Sequence, residues 1–275
     1  MIMILPAILV ILEKEFSVSL IELGQLATIQ ILFLGLGGFP AGILADRFGS
    51  HIVLLVFFAG LVISSIWLYF STTFPMAAIG LGFLGLITGL YHPAGLKLIS
   101  HSPNVSRFMG YHGVSGSLGL AAGPIYGAWM ADWQGWRSAY LLLGGLALLA
   151  FIFLLLYDHK PAPKTDKLKL KFTFGKPQRI IIAASALWSF AHHGLFNFLP
   201  YYFKDAVQTP WSTVVIGGSL TGFVLILGII GQLVGGRLGD HFQRKDVYIW
   251  VLGLNIPFLI IIAFLNGWIL IGIAG

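Results

Sequence analysis

Apolar runs of bilayer-spanning length, parted by short polar breaks, set the rhythm of this chain. A helix needs about 20 mostly apolar residues to cross a bilayer. By that ruler the sequence predicts eight full spans, at 23–45, 51–70, 75–99, 108–130, 138–157, 180–201, 213–235 and 247–265. Two shorter apolar stretches flank them. Residues 1–12 are too few to cross, and 268–275 stop after about two turns. Both read as cut helices, so the chain is expected to be a fragment of a longer protein or a truncated gene product.

Composition agrees with a lipid solvent. Of 275 residues, 57% are hydrophobic and 9% are charged, where soluble domains average roughly 25% charged. The net charge of +6 does not point to nucleic acid, because the basic residues lie in short loops and one linker. Counted on alternate sides of the spans, 13 of the 16 Lys and Arg fall on one side and 3 on the other. The positive-inside rule puts the richer side in the cytoplasm. With no Cys, thiol catalysis is excluded and the redox compartment is unreadable. The first residues carry no basic n-region and no cleavage site, so they are not a signal peptide. The longest polar stretch, 158–179, is rich in Lys and Pro and reads as a cytoplasmic linker. It divides the chain into an N-terminal bundle, 1–157, and an incomplete C-terminal bundle, 180–275.

The sequence repeats itself. "GILADRFGSH" at 42–51 and "GRLGDHFQRK" at 236–245 share Gly-x-Leu-x-Asp-x-Phe. Both copies fall in the same topological position, the break after a span that ends in the cytoplasm. This is the layout of two helical halves repeated in parallel. The residues singled out are Gly42, Asp46, Arg47 and Gly49 in the first copy and Gly236, Asp240 and Arg244 in the second. Gly42 is expected to allow close approach, Arg47 to hold the loop inside, and Asp46 to engage helix ends or bases. A second pattern, Gly110-x8-Gly119-x3-Gly123-Pro124-x2-Gly127, runs along the span at 108–130.

With these motifs the chain resembles the major facilitator superfamily of transporters. That family carries the first motif between helices 2 and 3, and the Gly-Pro motif in helix 5 of its antiporters. Ser50 and His51 stand where the family has a basic pair, and Ala128 replaces the last glycine. "YHPAG" at 91–95 is similar to a segment of fosmidomycin-resistance-type exporters. The resemblance implies an all-α polytopic membrane protein of two six-helix bundles, incomplete in this chain: a partial helix 1, helices 2–9 and the start of helix 10. It further implies that Asp46 works against the start of helix 11. The Arg that many proton antiporters carry in helix 4 is absent.

Physically, Gly119, Gly123 and Gly127 form a bare stripe at i, i+4, i+8, where two backbones can approach and rock. Pro124 removes one helical hydrogen bond and bends the helix. The alternative is static packing. No Asp, Glu, Lys or Arg lies mid-span. This argues against a charged channel filter, a voltage sensor or a carboxylate relay in the spans, and against a strongly charged solute. The polar groups left at depth are Tyr91, His92, His112, His192, His193 and Asn197, as solute or proton candidates. Imidazole titrates near neutrality, although a helix-to-helix hydrogen bond is the simpler role. Pro93 loosens the backbone beside His92. His193 and Asn197, four apart, share a helix face.

No metal motif, hydrolase elbow or phosphate loop is present, and Ser115 among its glycines has no base arranged around it, so the chain is not read as an enzyme. The expected protein is a secondary transporter, an antiporter exporting a small neutral or amphipathic solute. It needs no cofactor or metal, with the proton gradient as energy source. Its partners are the solute and the bilayer, not nucleic acid. It is expected to be a monomer in the plasma (inner) membrane. Metabolite uptake by symport is the alternative within the family, and a non-transporting sensor or scaffold the alternative outside it.

Overall fold

The structure is a computed structural model and describes residues 1–100, 102, 104–157, 175–203, 212–243, 246–247, 249–251, 253–254 and 256–257. The helices are α1 (Ile4–Phe16), α2 (Leu20–Phe48), α3 (Ser50–Tyr69), α4 (Phe74–Gly89), α5 (Tyr91–Ser100), α6 (Val105–Gln134), α7 (Trp136–Leu156), α8 (Lys176–Phe203) and α9 (Thr213–His241). No strand occurs among the described residues. Most of the predicted span at 247–265, the partial stretch at 268–275 and most of the linker lie outside them.

The helix starts are built from side-chain caps. Ser19 accepts from the Glu22 N–H at 3.3 Å while Glu22 accepts from the Ser19 N–H at 2.7 Å, a reciprocal box that opens α2. Thr73 caps α4, with Pro75 in its first turn, and Ser212 caps α9. Two turns consist of one glycine each. Gly49, at φ +86°, donates to Ala45 O at 3.0 Å and parts α2 from α3. Gly135, at φ +84°, donates to Ala131 O at 3.1 Å and parts α6 from α7. A side chain is strained at such a φ, which explains both glycines.

These caps correct the expected loops. The first repeat was expected to be a break between spans, but Gly42 to Phe48 are the last turns of α2. In the second copy α9 runs to His241, so Gly236 and Asp240 are also helical. Apolar content marks the lipid, whereas the helix continues until a cap stops it. The span predicted at 75–99 is two helices, α4 and α5, parted at Leu90. Pro93 has no N–H for the Gly89 carbonyl and its ring crowds that oxygen, so the ladder breaks there.

Five helical stretches among the described residues are long and apolar enough to cross a membrane: Leu20–Phe48, Ser50–Tyr69, Phe74–Ser100, Trp136–Leu156 and Thr213–Gly231. At 30 and 28 residues α6 and α8 are long enough, but Gly, Ser, His and Tyr dilute their apolar content. Leu149, Phe153 and Leu156 of α7 are 64%, 67% and 79% exposed, a surface suited to lipid rather than water.

Helices α1 to α7 form one packed group. α2 crosses α4 closely, because a side chain on Gly37 or Gly85 would run into the backbone of Leu86 or Gln30. α3 packs on α4 and α7 around Leu61, Leu68, Leu81 and Tyr140. α8 and α9 pack on each other and meet the first group through α1 and α6.

Candidate functional site

Two ends of the helices carry the polar contacts. At the first, Lys97 on α5 binds Asp46 on α2, Nζ to Oδ1, at 2.6 Å, and donates to the Ala45 carbonyl at 2.9 Å. The ammonium thus sits on the last turn of α2, where free carbonyls and the helix dipole favour a cation. Asp46 therefore has a base from a neighbouring helix as partner. Sequence reasoning counted Lys97 only for topology. A basic residue ending one span beside an acid ending another was the available signal. A cavity of about 440 Å³ lies here, lined by Gly42, Asp46, Pro93, Leu96, Lys97 and Met109 among others. Gly42 borders this space, and no described atom lies within 4 Å of where its Cβ would stand, so the close approach expected of it is not found. Arg47 turns outward over the Phe48 ring, 5.2 Å from its centre. Gly236 and Asp240 lie within α9, and Arg244 lies outside the described residues.

Further along α5 toward its start, Tyr91, His92 and His112 converge, with His92 exposed and the other two half-buried. The Tyr91 and His112 rings stack with centres 5.7 Å apart, His92 meets His112 edge-on at 5.6 Å, and Phe57 backs Tyr91 at 5.2 Å. The kink at Pro93 places Tyr91 and His92 in the first turn of α5, beside α6. On α8, His192 packs on Phe196 at 4.5 Å and on His193 at 5.4 Å. His192, His193 and Asn197 are all half-buried. The six polar candidates thus form two groups, one on each side of the chain's long linker. Among the described residues no three His, Asp or Glu gather as a metal site.

The glycine stripe of α6 has a different partner from a second rocking bundle. A Cβ on Gly123 would stand 2.6 Å from Met3 Cβ, and one on Gly127 would stand 3.1 Å from Ile4 Cα, so these two glycines admit α1. Gly119 has no described atom within 4 Å of that position. The crossing of α6 with α9 uses glycines of α9. A Cβ on Gly218 would overlap Ala128 and stand 2.6 Å from Pro124 O, and one on Gly222 would meet Ile125 and Ala121. Trp129 Nε1 donates to Ser219 Oγ at 3.2 Å beside them. The sequence reading missed Gly218 and Gly222, although their i, i+4 spacing was visible.

The second end lies where α1 finishes. Glu15 accepts from Arg137 Nη2 at 2.5 Å and from Trp136 Nε1 at 2.8 Å. Arg137 also donates twice to Ser71 O, at 2.8 and 2.6 Å, joining α7 to the end of α1 and to the turn that follows α3. Glu13 faces α8, where the Tyr201 hydroxyl donates to its two oxygens at 3.0 and 3.2 Å.

Long apolar helices in two groups that meet through small residues define a polytopic helical membrane protein. The chain belongs to the Major Facilitator Superfamily, whose model matches residues 1–275. It is similar to the multidrug resistance protein MdtG of Proteus mirabilis (strain HI4320), with 24% identity over 255 residues, covering 89% of this chain and 63% of that protein. It is similar to the class B tetracycline resistance protein of Escherichia coli, with 23% identity over 243 residues, covering 83% of this chain and 60% of that protein. Its fold is similar to a crystal structure of a D-xylose–proton symporter, with a TM-score of 0.66 and 16% identity over 95% of this chain and 70% of that one. The chain therefore spans about three-fifths of the length of these two resistance proteins, 63% of the first and 60% of the second.

Proposed function

We propose that the protein is a secondary transporter that exports a small solute by alternating access in exchange for protons. The observation that carries this reading is the crossing of α6 and α9. There Pro124 and Ala128 lie against Gly218 and Gly222, so the Gly-Pro helix is itself the surface on which the two groups meet. Small residues let two backbones slide or rock over each other with little side-chain interlock. The bundles at 1–157 and 180–275 are then the moving bodies, joined by the linker at 158–179 on the cytoplasmic side of the inner membrane. Two similar proteins are named for multidrug and tetracycline resistance, which favours export. The two ring groups, around His112 and around His192, are the solute and proton contacts. The absence of mid-span fixed charge favours a neutral or amphipathic solute.

The test is transport by the protein in liposomes loaded with a pH dye, with tetracycline and ethidium as probes. A probe-dependent proton flux opposite to the probe is expected. No proton movement at any pH would overturn the exchange. Asp46→Asn is expected to cut transport at least tenfold while membrane abundance holds, and normal transport by this variant would make the motif purely topogenic.

A further inference from the structure

The outward surfaces of α7 and of the α3–α4 pair are both apolar, but they differ in shape. On α7 the exposed Leu142, Leu146 and Leu149 stand along a single helix, which is convex. On α3, Ile63, Ile66, Trp67 and Phe70 are spaced i, i+3, i+4 and i+7, so they share one exposed face. With Met76 from the first turn of α4 they line a groove of about 400 Å³, a volume within the range of ligand sites, about 300–1,000 Å³. Four of its five residues lie along α3, so it runs with the axis of a helix long and apolar enough to cross a membrane.

Trp67 forms the wall of the groove and is held at two points. Its indole Nε1 donates to Met76 O at 2.8 Å. Its Cδ1 lies 2.6 Å from where a Cβ on Gly80 would stand, so the ring rests against α4 only because residue 80 has no side chain. A Trp N–H at a membrane surface commonly faces the headgroups. Here it is turned to a backbone carbonyl, and the other four side chains carry no strong donor or acceptor. A polar ligand would lose its hydrogen bonds in such a groove, whereas hydrocarbon has none to lose.

Within lipid, association rests on van der Waals packing rather than on the hydrophobic effect. A groove touches a chain on more than one side, and such contacts add up. Its wall is already in place, so the protein orders little on binding. Five side chains are far fewer than the about 20–30 residues a side of a stable protein interface, so the groove suits one hydrocarbon chain rather than a second copy of the protein.

We propose that this groove holds one acyl chain of a phospholipid from the surrounding bilayer as an ordered lipid. Its headgroup lies at the turn between α3 and α4, where Thr72 and Thr73 are exposed. The bound chain bridges α3 and α4 at the end of the molecule that carries Glu15 and Arg137. The inference requires a bilayer around the helices and draws on neither the direction nor the coupling of transport.

The test uses the full chain in nanodiscs containing a phospholipid with a diazirine in the middle of one acyl chain. After irradiation, adducts are located by mass spectrometry. Adducts on residues 63–76 are expected to be several-fold richer than on residues 142–149 of α7. Native mass spectrometry after delipidation is expected to show one phospholipid retained. Ile66→Trp, which fills the groove, and Trp67→Leu, which removes its wall, should each lower the adducts on 63–76 to the α7 level, leave those on α7 unchanged and release the retained lipid. Ile66→Trp keeps both contacts of Trp67, so it decides the matter even where Trp67→Leu loosens the helix pair. Equal labelling of the two surfaces in the parent would mean bulk lipid only and would overturn the proposal. So would adducts that Ile66→Trp leaves unchanged, or a dimer of the protein in place of the retained lipid.

Discussion

The end of the molecule around Asp46 and the end around Glu15 are both held by an acid and a base, yet they are fastened differently. At the Asp46 end the pair joins α2 to α5, helices of one group, and, although Met109 and His112 meet α5, the glycine positions of the first half of α6 stand open. Gly110, Gly113, Gly116 and Gly119 have no described atom within 4 Å of a Cβ position. At the Glu15 end the same helix is covered by α1 and α9, and Tyr201 crosses from the second group to the first. One long helix thus serves two purposes along its length. Pro124 stands where they change, with Gly119 on the uncovered side and Gly127 on the covered side. The largest effect is therefore expected from crowding the covered half. Gly218→Leu places a side chain on the Pro124 carbonyl and on Ala128. Overpacking costs typically 1–3 kcal/mol, occasionally more, and with backbone as the obstacle about 3 kcal/mol is expected. Gly119→Ala, on the uncovered half, should instead stabilise the helix by up to about 1 kcal/mol. Thermal unfolding followed by tryptophan fluorescence measures both. Equal losses in the two variants would erase the distinction between the halves of α6.

The next effect down concerns what holds the Glu15 end rigid. Arg137 donates to the Ser71 carbonyl through two nitrogens and to Glu15 through one of them. Arg137→Ala leaves a carbonyl and a carboxylate with fewer donors, and hydrogen bonds to charged groups are worth about 1.5–3 kcal/mol. A loss of about 2 kcal/mol is expected, read from the same unfolding curves. Arg137→Lys should recover only part of it, since an ammonium lacks the planar fork that serves Ser71 and Glu15 together. Full recovery by Lys would mean that charge alone fixes this end.

The legible part of the fold was the part that local chemistry controls. Apolar runs located the helices, and Pro93 marked the weak point at which the span at 75–99 divides. The Gly-Pro motif identified α6 as a helix against which others pack. Helix ends were less legible, because Ser19, Gly49 and Gly135 stop the helices some residues beyond the apolar run. What could not be read was rotation and partnership. The i, i+4 spacing of Gly119, Gly123 and Gly127 says that one face is bare, but not whether α1 or α9 covers it. Tyr201 and Glu13 are 188 residues apart, and Lys97 and Asp46 are 51 apart. Neither pairing has a periodic trace, because it arises from the packing of helices that are distant in sequence. The two acids of α1, Glu13 and Glu15, lie at a helix end where charge is cheap, so their presence in the sequence carries no signal of the partners they meet.

The smallest expected effect is the one that shows how lightly the Asp46 end is held. The Lys97 and Asp46 side chains are 23% and 39% exposed, so water and salt screen their attraction. Pairs of this kind are worth about 0.2–1 kcal/mol by double-mutant cycles. The cycle of Asp46→Asn, Lys97→Met and the double variant should give a coupling of about 0.5 kcal/mol, shrinking as salt is raised. Lys97→Met alone should cost more than Asp46→Asn alone, because Lys97 also satisfies the Ala45 carbonyl at the end of α2. That ranking separates a residue that caps a helix from one that only pairs with its charge. The stability effect of Asp46→Asn is then too small to explain the tenfold loss of transport expected from it, and the difference must lie in a contact that Asp46 makes elsewhere in the cycle. A coupling above about 2 kcal/mol, beyond the range of exposed pairs, would instead make the Asp46 end as firmly fastened as the Glu15 end, and the contrast between them would fail.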